Sequence, residues 1–317
     1  MAPSLDIIIV NWNTGPLLHT CLRSIDDADR TAYRIGHVVV VDNGSADNSC
    51  DDLNDVGLPL VLKRNGVNRG FAAACNQGAA ATDSDYLLFL NPDTALFNDS
   101  LRLPIAFMEE PANADIAICG VRLVGDKGEP AVSCARFPTL GTFFSQAIGL
   151  TRVWPGFFKP QLMTPAECGA TREVDQIIGA FFLIRRSVFE QLDGFDDRFF
   201  VYFEEVDLSL RARQHGYRSV YLAEAAIYHR GAVSSEQIAA TRLFYSLRSR
   251  LLFGFKHFGR LEAVLLVVIT VAIEPFARVA WALARGSFVE ARQTVRGYGE
   301  LFAYFTQRAP AQRTERT

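Results

Sequence analysis

The sequence predicts an α/β fold built on a mostly parallel sheet with helices on both faces, and three observations carry that expectation. Short β-branched runs, "LDIIIVNW", "HVVVVDNGS", "LPLVLKR" and "DYLLFLNPD", alternate with helix-like segments. The runs are continuously apolar rather than alternating, which is the pattern of strands buried on both faces. Three of them end abruptly in polar residues, and in open α/β sheets ligands bind at the carboxyl ends of the strands. Those ends are Asn11-Trp12-Asn13, Asp42-Asn43-Gly44-Ser45 and Asn91-Pro92-Asp93.

Taken in order, "LDIIIVNW" reads as the first strand and Gly15 to Ile25 as the first helix. "HVVVVDNGS" and "LPLVLKR" follow as strands. "GFAAACNQGAAA" is a helix whose small side chains let it lie close on the sheet, and "DYLLFLNPD" is a further strand. From about Leu101 to Thr171, scattered Pro and Gly, as in "GDKGEP" and "VWPGFFKPQLMTP", predict edge strands and loops. The stretch from "VDQIIGAFFLIRR" to "AIYHRGAVSS" reads strand, short helix, loop, amphipathic helix, strand.

With 317 residues and 49% hydrophobic content, the chain has ample material for a core. A formal net charge of -3 and a pI near 6.0 provide no basic field for a phosphate backbone, so nucleic acid is not an expected partner. The six cysteines are scattered singly, without zinc spacings or the density of a disulfide scaffold, which predicts a reducing compartment. The opening "MAPSLDIIIVNWNTG" has no basic n-region and only a strand-length apolar run, so the expectation is a cytoplasmic protein.

Composition changes at "LEAVLLVVITVAIEPFARVAWALARG". Its uninterrupted apolar part, Ala263 to Ile273, falls short of the roughly 20 residues that span a bilayer, and Glu274, Pro275 and Arg278 then interrupt it. Basic residues flank it at Arg248, Arg250, Lys256, Arg260, Arg285, Arg292 and Arg296, so a segment lying on a membrane surface is expected. The alternative is a helical hairpin packed on the domain or on another copy of the chain.

Five groups of residues carry chemistry. Asp42 leaves a buried strand and can accept the imide N–H of a uracil or thymine ring, with Gly44 allowing the turn; good turn chemistry alone would also explain "DNGS". Arg69 and Gly70 precede the small-residue helix, where a basic residue can face a diphosphate. Asp93 is a hard oxygen ligand suited to Mg²⁺ or Mn²⁺, although an isolated "NPD" also reads as an Asx turn. Glu204, Glu205 and Asp207 crowd the start of a helix, where the macrodipole favours negative charge and where a carboxylate can serve as general base. His229 ends the last strand, a position where histidine is commonly structural.

In their order along the chain, "IIIVNWNTGPLLHTCLRSI", "VVVVDNGSADNS", "NRGFAAACNQGA", "LFLNPDT", "GAFFLIRRSVFEQLDGFDDRFFVYFEEVDLSLRARQHGY" and "YHRGA" resemble the family 2 glycosyltransferases, enzymes of GT-A fold that use nucleotide-diphosphate sugars. The resemblance runs from Leu5 to about Ser235 and is greatest to bacterial rhamnosyltransferases of cell-envelope polysaccharide synthesis, with galactofuranosyltransferases close by. It implies a catalytic domain over 1–235, with a donor half to about residue 100 and an acceptor half beyond it, and a helical extension over 236–317. It implies that Asp42 holds the base, with Asn11, Trp12, Asn13, Asn43 and Gly44 around it, and that Arg69, Gly70 and Asn76 lie near the diphosphate or first sugar. Asp93 matches the last acidic residue of the family's DXD element, with Asn91 in place of the first, and His229 matches the histidine that completes the Mg²⁺ or Mn²⁺ site.

The family's base is the second acidic residue of a Glu-Asp pair, which here is Glu-Glu, so Glu205 is the expected base and Glu204 the alternative. The implied reaction is a single displacement with inversion, from dTDP-rhamnose or a UDP-sugar to a hydroxyl of a glycan or lipid-linked acceptor, at the inner face of the cell membrane. A nucleotide-sugar-binding protein without catalysis is one rival. A nucleotidyltransferase is another, although "VNWNTGPLLHT" lacks the basic residues of its usual N-terminal loop.

Overall fold

The computed structural model describes residues 2–53, 56–231 and 239–308. The expected division at 235/236 lies outside the described residues. In chain order the elements are β1 (Ser4–Asn11), α1 (Leu17–Asp26), β2 (Arg34–Asp42), β3 (Leu60–Arg64), α2 (Phe71–Ala79), β4 (Tyr86–Leu90) and β5 (Thr94–Leu96). Next come α3 (Arg102–Glu109), β6 (Ile116–Val124), β7 (Pro130–Ala131), β8 (Cys134–Ala135), α4 (Leu140–Ala147) and α5 (Leu150–Val153). Then follow β9 (Arg172–Val174), β10 (Gln176–Ile177), β11 (Phe181–Arg185), α6 (Arg186–Gln191), α7 (Glu204–Gln214) and β12 (Arg218–His229). The last helices are α8 (Ala239–His257), α9 (Arg260–Val268), α10 (Glu274–Ala284) and α11 (Phe288–Arg308), with a π turn, Ile269–Ile273, joining α9 to α10.

Packing divides the chain into two compact units. The first comprises Met1–Phe137, Leu162–Phe200 and Glu204–Ser234, and the second Pro138–Gln161, Val201–Phe203 and Ser235–Thr317. The first unit holds the large sheet, in the order β3-β2-β1-β4-β11-β6-β12-β5, with β7 beside β6 and β9 beside β12. Strands β3, β2, β1 and β4 run parallel, as their continuously apolar sequences predict. β11 then enters antiparallel to both β4 and β6, and β12 lies parallel to β6. Burial explains the parallel half: every residue of β1 and β4 is buried.

The small-residue helix α2 packs as its composition predicts. A Cβ on Gly78 would come within 2.5 Å of Ile8 Cγ2 of β1, so helix and sheet are closer there than any larger residue allows. The stretch expected to be edge strands and loops does hold the short strands β7 and β8, but also the interior strand β6 and the helices α3, α4 and α5. Pro104 sits in the first turn of α3, where a missing N–H costs nothing. Thr139 caps α4 by accepting a hydrogen bond from the Thr142 amide.

In the second unit, α9, the π turn and α10 form one helical run, Arg260–Ala284, of 25 residues with mean hydropathy 2.1 in its apolar window. The helix is therefore longer than the uninterrupted apolar stretch Ala263 to Ile273, and by length and composition alone it would suffice to cross a membrane. The run continues through Glu274 because that carboxylate is buried between Arg250 of α8 and Arg278, which donates to it at 2.7 Å. Burial acts to raise the Glu274 pKa, but the two guanidiniums outweigh it and hold the group below its ordinary value. Pro275 is the second residue of α10 and directly follows the π turn, where the regular i→i−4 ladder is already interrupted.

The close approach of α2 has a direct test. Gly78→Leu should lower stability by about 1–3 kcal/mol through overpacking against Ile8, read as a fall in the urea midpoint with little change in slope.

Candidate active site

The carboxyl ends of β1, β2 and β4 carry the polar loops expected from the sequence. Asp42, the last residue of β2, is 4% exposed and accepts a hydrogen bond from the Ser45 amide at 3.1 Å. Arg64 at the end of β3 lies 3.6 Å from its other oxygen. Asn11, the last residue of β1, pairs in register with Asp42; Trp12 after it is half-buried, and Asn13 is exposed, its backbone in the left-handed region at φ 53. The Asn13 carboxamide oxygen accepts from the Ala46 amide at 2.7 Å, tying the β1 loop to the β2 loop.

Three asparagines expected near the donor use their side-chain amides to brace the loops. The Asn11 side chain is fully buried and donates to Ser49 Oγ at 2.8 Å and Ser45 Oγ at 3.0 Å. Asn43 donates to the Gly70 carbonyl and Asn68, and accepts from the Arg69 amide at 3.0 Å and from Asn65. It therefore shapes the loop that presents Arg69, whose side chain is exposed. Asn76 of α2 donates to the Phe195 carbonyl at 2.7 Å and to Asp197, and accepts from the Phe195 amide. Single-residue chemistry showed these as polar groups near the site; only the folded loops show where their amides are used.

Gly44 and Gly70 are required where they stand. Both have positive φ, 80 and 91, and a Cβ on Gly44 would meet the Val67 backbone at 2.9 Å. A Cβ on Gly70 would lie 2.6 Å from the Phe200 carbonyl oxygen, which also accepts from the Phe71 amide at 2.6 Å. The segment leading to α7 is thereby seated on the start of α2.

Asp93 and His229 meet through strand register. β5 begins directly after Asp93 and pairs antiparallel with the end of β12, setting His229 opposite Thr94. The Arg230 amide donates to the Asp93 carbonyl at 3.1 Å. As a result His229 Nε2 lies 3.5 Å from Asp93 Oδ1, with the side chains 17% and 16% exposed. An imidazole nitrogen and a carboxylate oxygen facing one another suit a divalent cation of the Mg²⁺ or Mn²⁺ kind that takes its remaining ligands from phosphates and water. Asn91 contributes through its backbone, its carbonyl accepting from Thr94 Oγ1 at 2.7 Å.

Among the described residues, Asp6, His37 and Asp83 also bring ligand atoms within 4.8 Å of one another. That group sits towards the amino ends of β1 and β2, opposite to Asp42, and Asp6 already accepts from the His37 and Ser84 amides and from Arg186 at 3.0 Å.

At the head of α7 the chain places Glu204 and Glu205 after two residues in the left-handed region, Tyr202 (φ 67) and Phe203 (φ 71). Such backbone costs about 1–3 kcal/mol per residue and gathers at functional sites. Glu204 Oε2 and Glu205 Oε2 are each buried without a hydrogen-bond partner among the described residues. Burial, and then the neighbouring Glu205 charge, hold the Glu204 carboxyl well above its ordinary value. Burial raises Glu205 to about 6, against lowering by backbone amides at the helix start. Asp207 differs: it is fully buried and paired with Arg211 at 2.8 Å, and Arg211 also donates to the Leu192 and Gly194 carbonyls.

A parallel sheet with acidic and amide-rich loops at its carboxyl ends, continued by a mixed half that returns a histidine to the central carboxylate, is the GT-A architecture of nucleotide-sugar transferases. The family model for glycosyl transferase family 2 matches residues 6–193, and the chain belongs to that family. Among curated relatives, it is 28% identical over 277 residues to N-acetylglucosaminyl-diphospho-decaprenol L-rhamnosyltransferase of Mycobacterium tuberculosis, covering 80% of this chain and 84% of the relative. It is 33% identical over 146 residues to rhamnosyltransferase WbbL of Escherichia coli K12, covering 44% of this chain and 50% of the relative. In fold it is similar to mannosyltransferase PcManGT from Pyrobaculum calidifontis, solved with GDP-Man and Mn²⁺, at TM-score 0.56 and 17% identity, covering 97% of this chain and 83% of that one. Residues 1–349 of Staphylococcus aureus TarS, solved with UDP-GlcNAc, align at TM-score 0.53 and 15% identity, covering 94% and 80%.

The raised Glu205 pKa fixes the sign of its effect on stability. Below the ordinary carboxylate value both folded and unfolded chains hold the proton; between that value and about 6 only the folded chain does. The native protein therefore loses stability as pH rises through this window. Glu205→Gln should be more stable relative to wild type at pH 8 than at pH 4, by about 2 kcal/mol at 1.4 kcal/mol per unit, measured by denaturant melts at the two pH values.

Proposed function

We propose that the chain is a metal-dependent, inverting glycosyltransferase that moves L-rhamnose from dTDP-rhamnose to a hydroxyl of a lipid-linked glycan in cell-envelope polysaccharide synthesis. The observation that carries the catalytic part is the buried Glu204–Glu205 pair, one carboxyl held protonated and the other near neutrality at about 6. A base with such a pKa ionises at working pH yet keeps affinity for a proton, which is what general-base catalysis asks for. The rhamnosyl donor and the lipid-carried acceptor are supported by what the curated relatives are named for. A UDP-sugar donor, galactofuranose included, is the alternative, since a structural neighbour holds UDP-GlcNAc.

Glu205 removes the proton from the acceptor hydroxyl as its oxygen attacks the anomeric carbon, and the bond to the diphosphate breaks on the opposite face. Glu204, kept protonated by burial and by its neighbour's charge, leaves a single negative charge on the pair. Asp42 orients the nucleobase by accepting its imide N–H, with Trp12 and Asn13 beside it, and Arg69 faces the diphosphate. Asp93 and His229 would hold the divalent cation, which when bound neutralises charge on the departing diphosphate. Asp207 positions α7 through Arg211. Because the acceptor travels on a lipid, the enzyme works at the cytoplasmic face of the cell membrane.

Two outcomes test this. A thermal-shift screen of dTDP-rhamnose, UDP-galactofuranose and UDP-glucose with and without Mn²⁺ should raise the melting temperature most for dTDP-rhamnose with metal, and Asp93→Ala should abolish the metal-dependent part while retaining the wild-type melting temperature without ligand. Glu205→Gln should keep that donor shift but lose about 10²- to 10⁴-fold in kcat, and the wild-type kcat should fall as pH drops through about 6. A Gln variant with near-normal kcat would move the base elsewhere.

A further inference from the structure

We infer that the second unit docks on an anionic bilayer through two separate segments, the exposed stripe of the Arg260–Ala284 helix and the aromatic turn Val153–Phe158 after α5. This deepens the lipid-linked acceptor reading, on which its biological sense rests, but the surface itself is read from side chains alone.

The helix is amphipathic in the inverted sense. Its large exposed side chains, Leu261, Val264, Leu265, Val268, Phe276 and Leu283, are apolar and recur at helical spacing, with the exposed charges Arg260 and Glu262 at its start and Arg278 in its second half. Its buried positions include Thr270 and Glu274, and only 28% of the apolar window is buried. Water-soluble helices place their polar residues outward, so this face requires an apolar cover.

The second segment comes from the middle of the chain and was read from the sequence only as loop. Val153, Trp154 and Phe157 are 58%, 63% and 84% exposed, and their turn is closed by the Trp154 carbonyl, which accepts from the Phe157 amide at 3.1 Å and the Phe158 amide at 2.9 Å. It belongs to the same body as the helix. α4 packs on α9, the π turn and α10, and a Cβ on Gly149 at the start of α5 would lie 2.6 Å from Trp281 Nε1. Trp154 and Trp281 are amphipathic rings of the type that settles at headgroup depth.

Charge selects the occupant. Arg152 and Lys159 bracket the aromatic turn, Arg260 and Arg292 lie at the start of the apolar run and on α11, and Arg285 and Arg296 stand beside them, paired with Glu290 and Glu300. Lipid phosphates complement that border. A second copy joined through a two-fold axis would set the same basic border against itself, which disfavours the chain's own dimer as the cover. The ion pair of Glu274 with Arg250 on α8 keeps the helix anchored to its own unit, so the helix lies in the interface rather than crossing it.

The test is co-sedimentation of the full chain with vesicles of phosphatidylglycerol and phosphatidylcholine, against pure phosphatidylcholine. Wild type should bind the anionic vesicles at least tenfold more strongly and be released by alkaline high-salt wash. The double variant Trp154→Ser with Phe157→Ser, and separately Leu265→Ser with Val268→Ser, should each lose at least tenfold in binding while keeping the circular dichroism spectrum and the Mn²⁺-dependent donor shift. With Trp12→Phe and Trp281→Phe, the remaining Trp154 should shift to the blue on anionic vesicles and be quenched by brominated lipid. Unchanged binding in the Trp154/Phe157 variant overturns the two-segment surface, release by detergent only overturns interfacial docking, and a stable dimer that ignores vesicles assigns the face to a second copy. Loss of the donor shift in wild type would instead overturn the proposed function and leave the vesicle result standing.

Discussion

The structure turns on the burial of β4. All five of its residues are buried, and its two edges bond to strands of opposite sense, β1 running parallel and β11 antiparallel. It is therefore the seam between the parallel half of the sheet, which presents Asp42 and the Arg69 loop, and the mixed half, which returns β12 and His229. A strand buried on both faces and both edges can carry polar groups only at its ends, because an unpaired polar group inside costs several kcal/mol. Asn91-Pro92-Asp93 is that end, and Tyr86 at the other end is satisfied by Glu109, which accepts from its hydroxyl at 2.5 Å, and by Arg185, which donates to it at 2.8 Å.

The same accounting explains why the head of α7 is unlike the rest of the molecule. Asp207 and Glu274 are buried carboxylates with guanidinium partners. Glu204 is buried and Glu205 half-buried, each with one buried carboxylate oxygen that has no partner among the described residues, and they follow two left-handed aromatic residues. Stability alone would have paired or removed them. Two raised carboxyls next to one another lower stability at neutral pH, and such a cost is the kind found where function and stability compete.

Much of the fold was legible because its signals are local. β1, β2, β4 and α2 announce themselves through continuous β-branched runs and small residues, and Asp42 and Asp93 could be named as strand-end carboxylates. The pairing of Asp93 with His229 was legible only through family resemblance, since it rests on the β5–β12 register between residues more than a hundred positions apart. The bracing roles of Asn11, Asn43 and Asn76 were not legible, because an amide near a site and an amide holding that site together look the same in sequence. The helices α4 and α5 were hidden by Pro, Gly and aromatic residues that read as loop and edge. The length of the Arg260–Ala284 helix was hidden because Glu274 and Pro275 break the apolar run, and the Arg250 partner that lets Glu274 be buried lies on another helix.

One turn reconciles these parts. Leu192 to Asp197 is gripped from α2 by Asn76, through the Phe195 carbonyl and amide and the Asp197 carboxylate, and from α7 by Arg211, through the Leu192 and Gly194 carbonyls. Gly194 has φ 67, and a Cβ there would lie 2.7 Å from the Asn76 carboxamide oxygen, so the turn fits only without a side chain at that point. Because Arg211 is in turn held by Asp207, the helix that carries Glu205 and the helix that follows Arg69 share a single rigid joint. The placement of Glu205 relative to the Arg69 loop is thus set largely by hydrogen bonds to the backbone of this turn, which substitution of Glu205 or Arg69 themselves would leave in place.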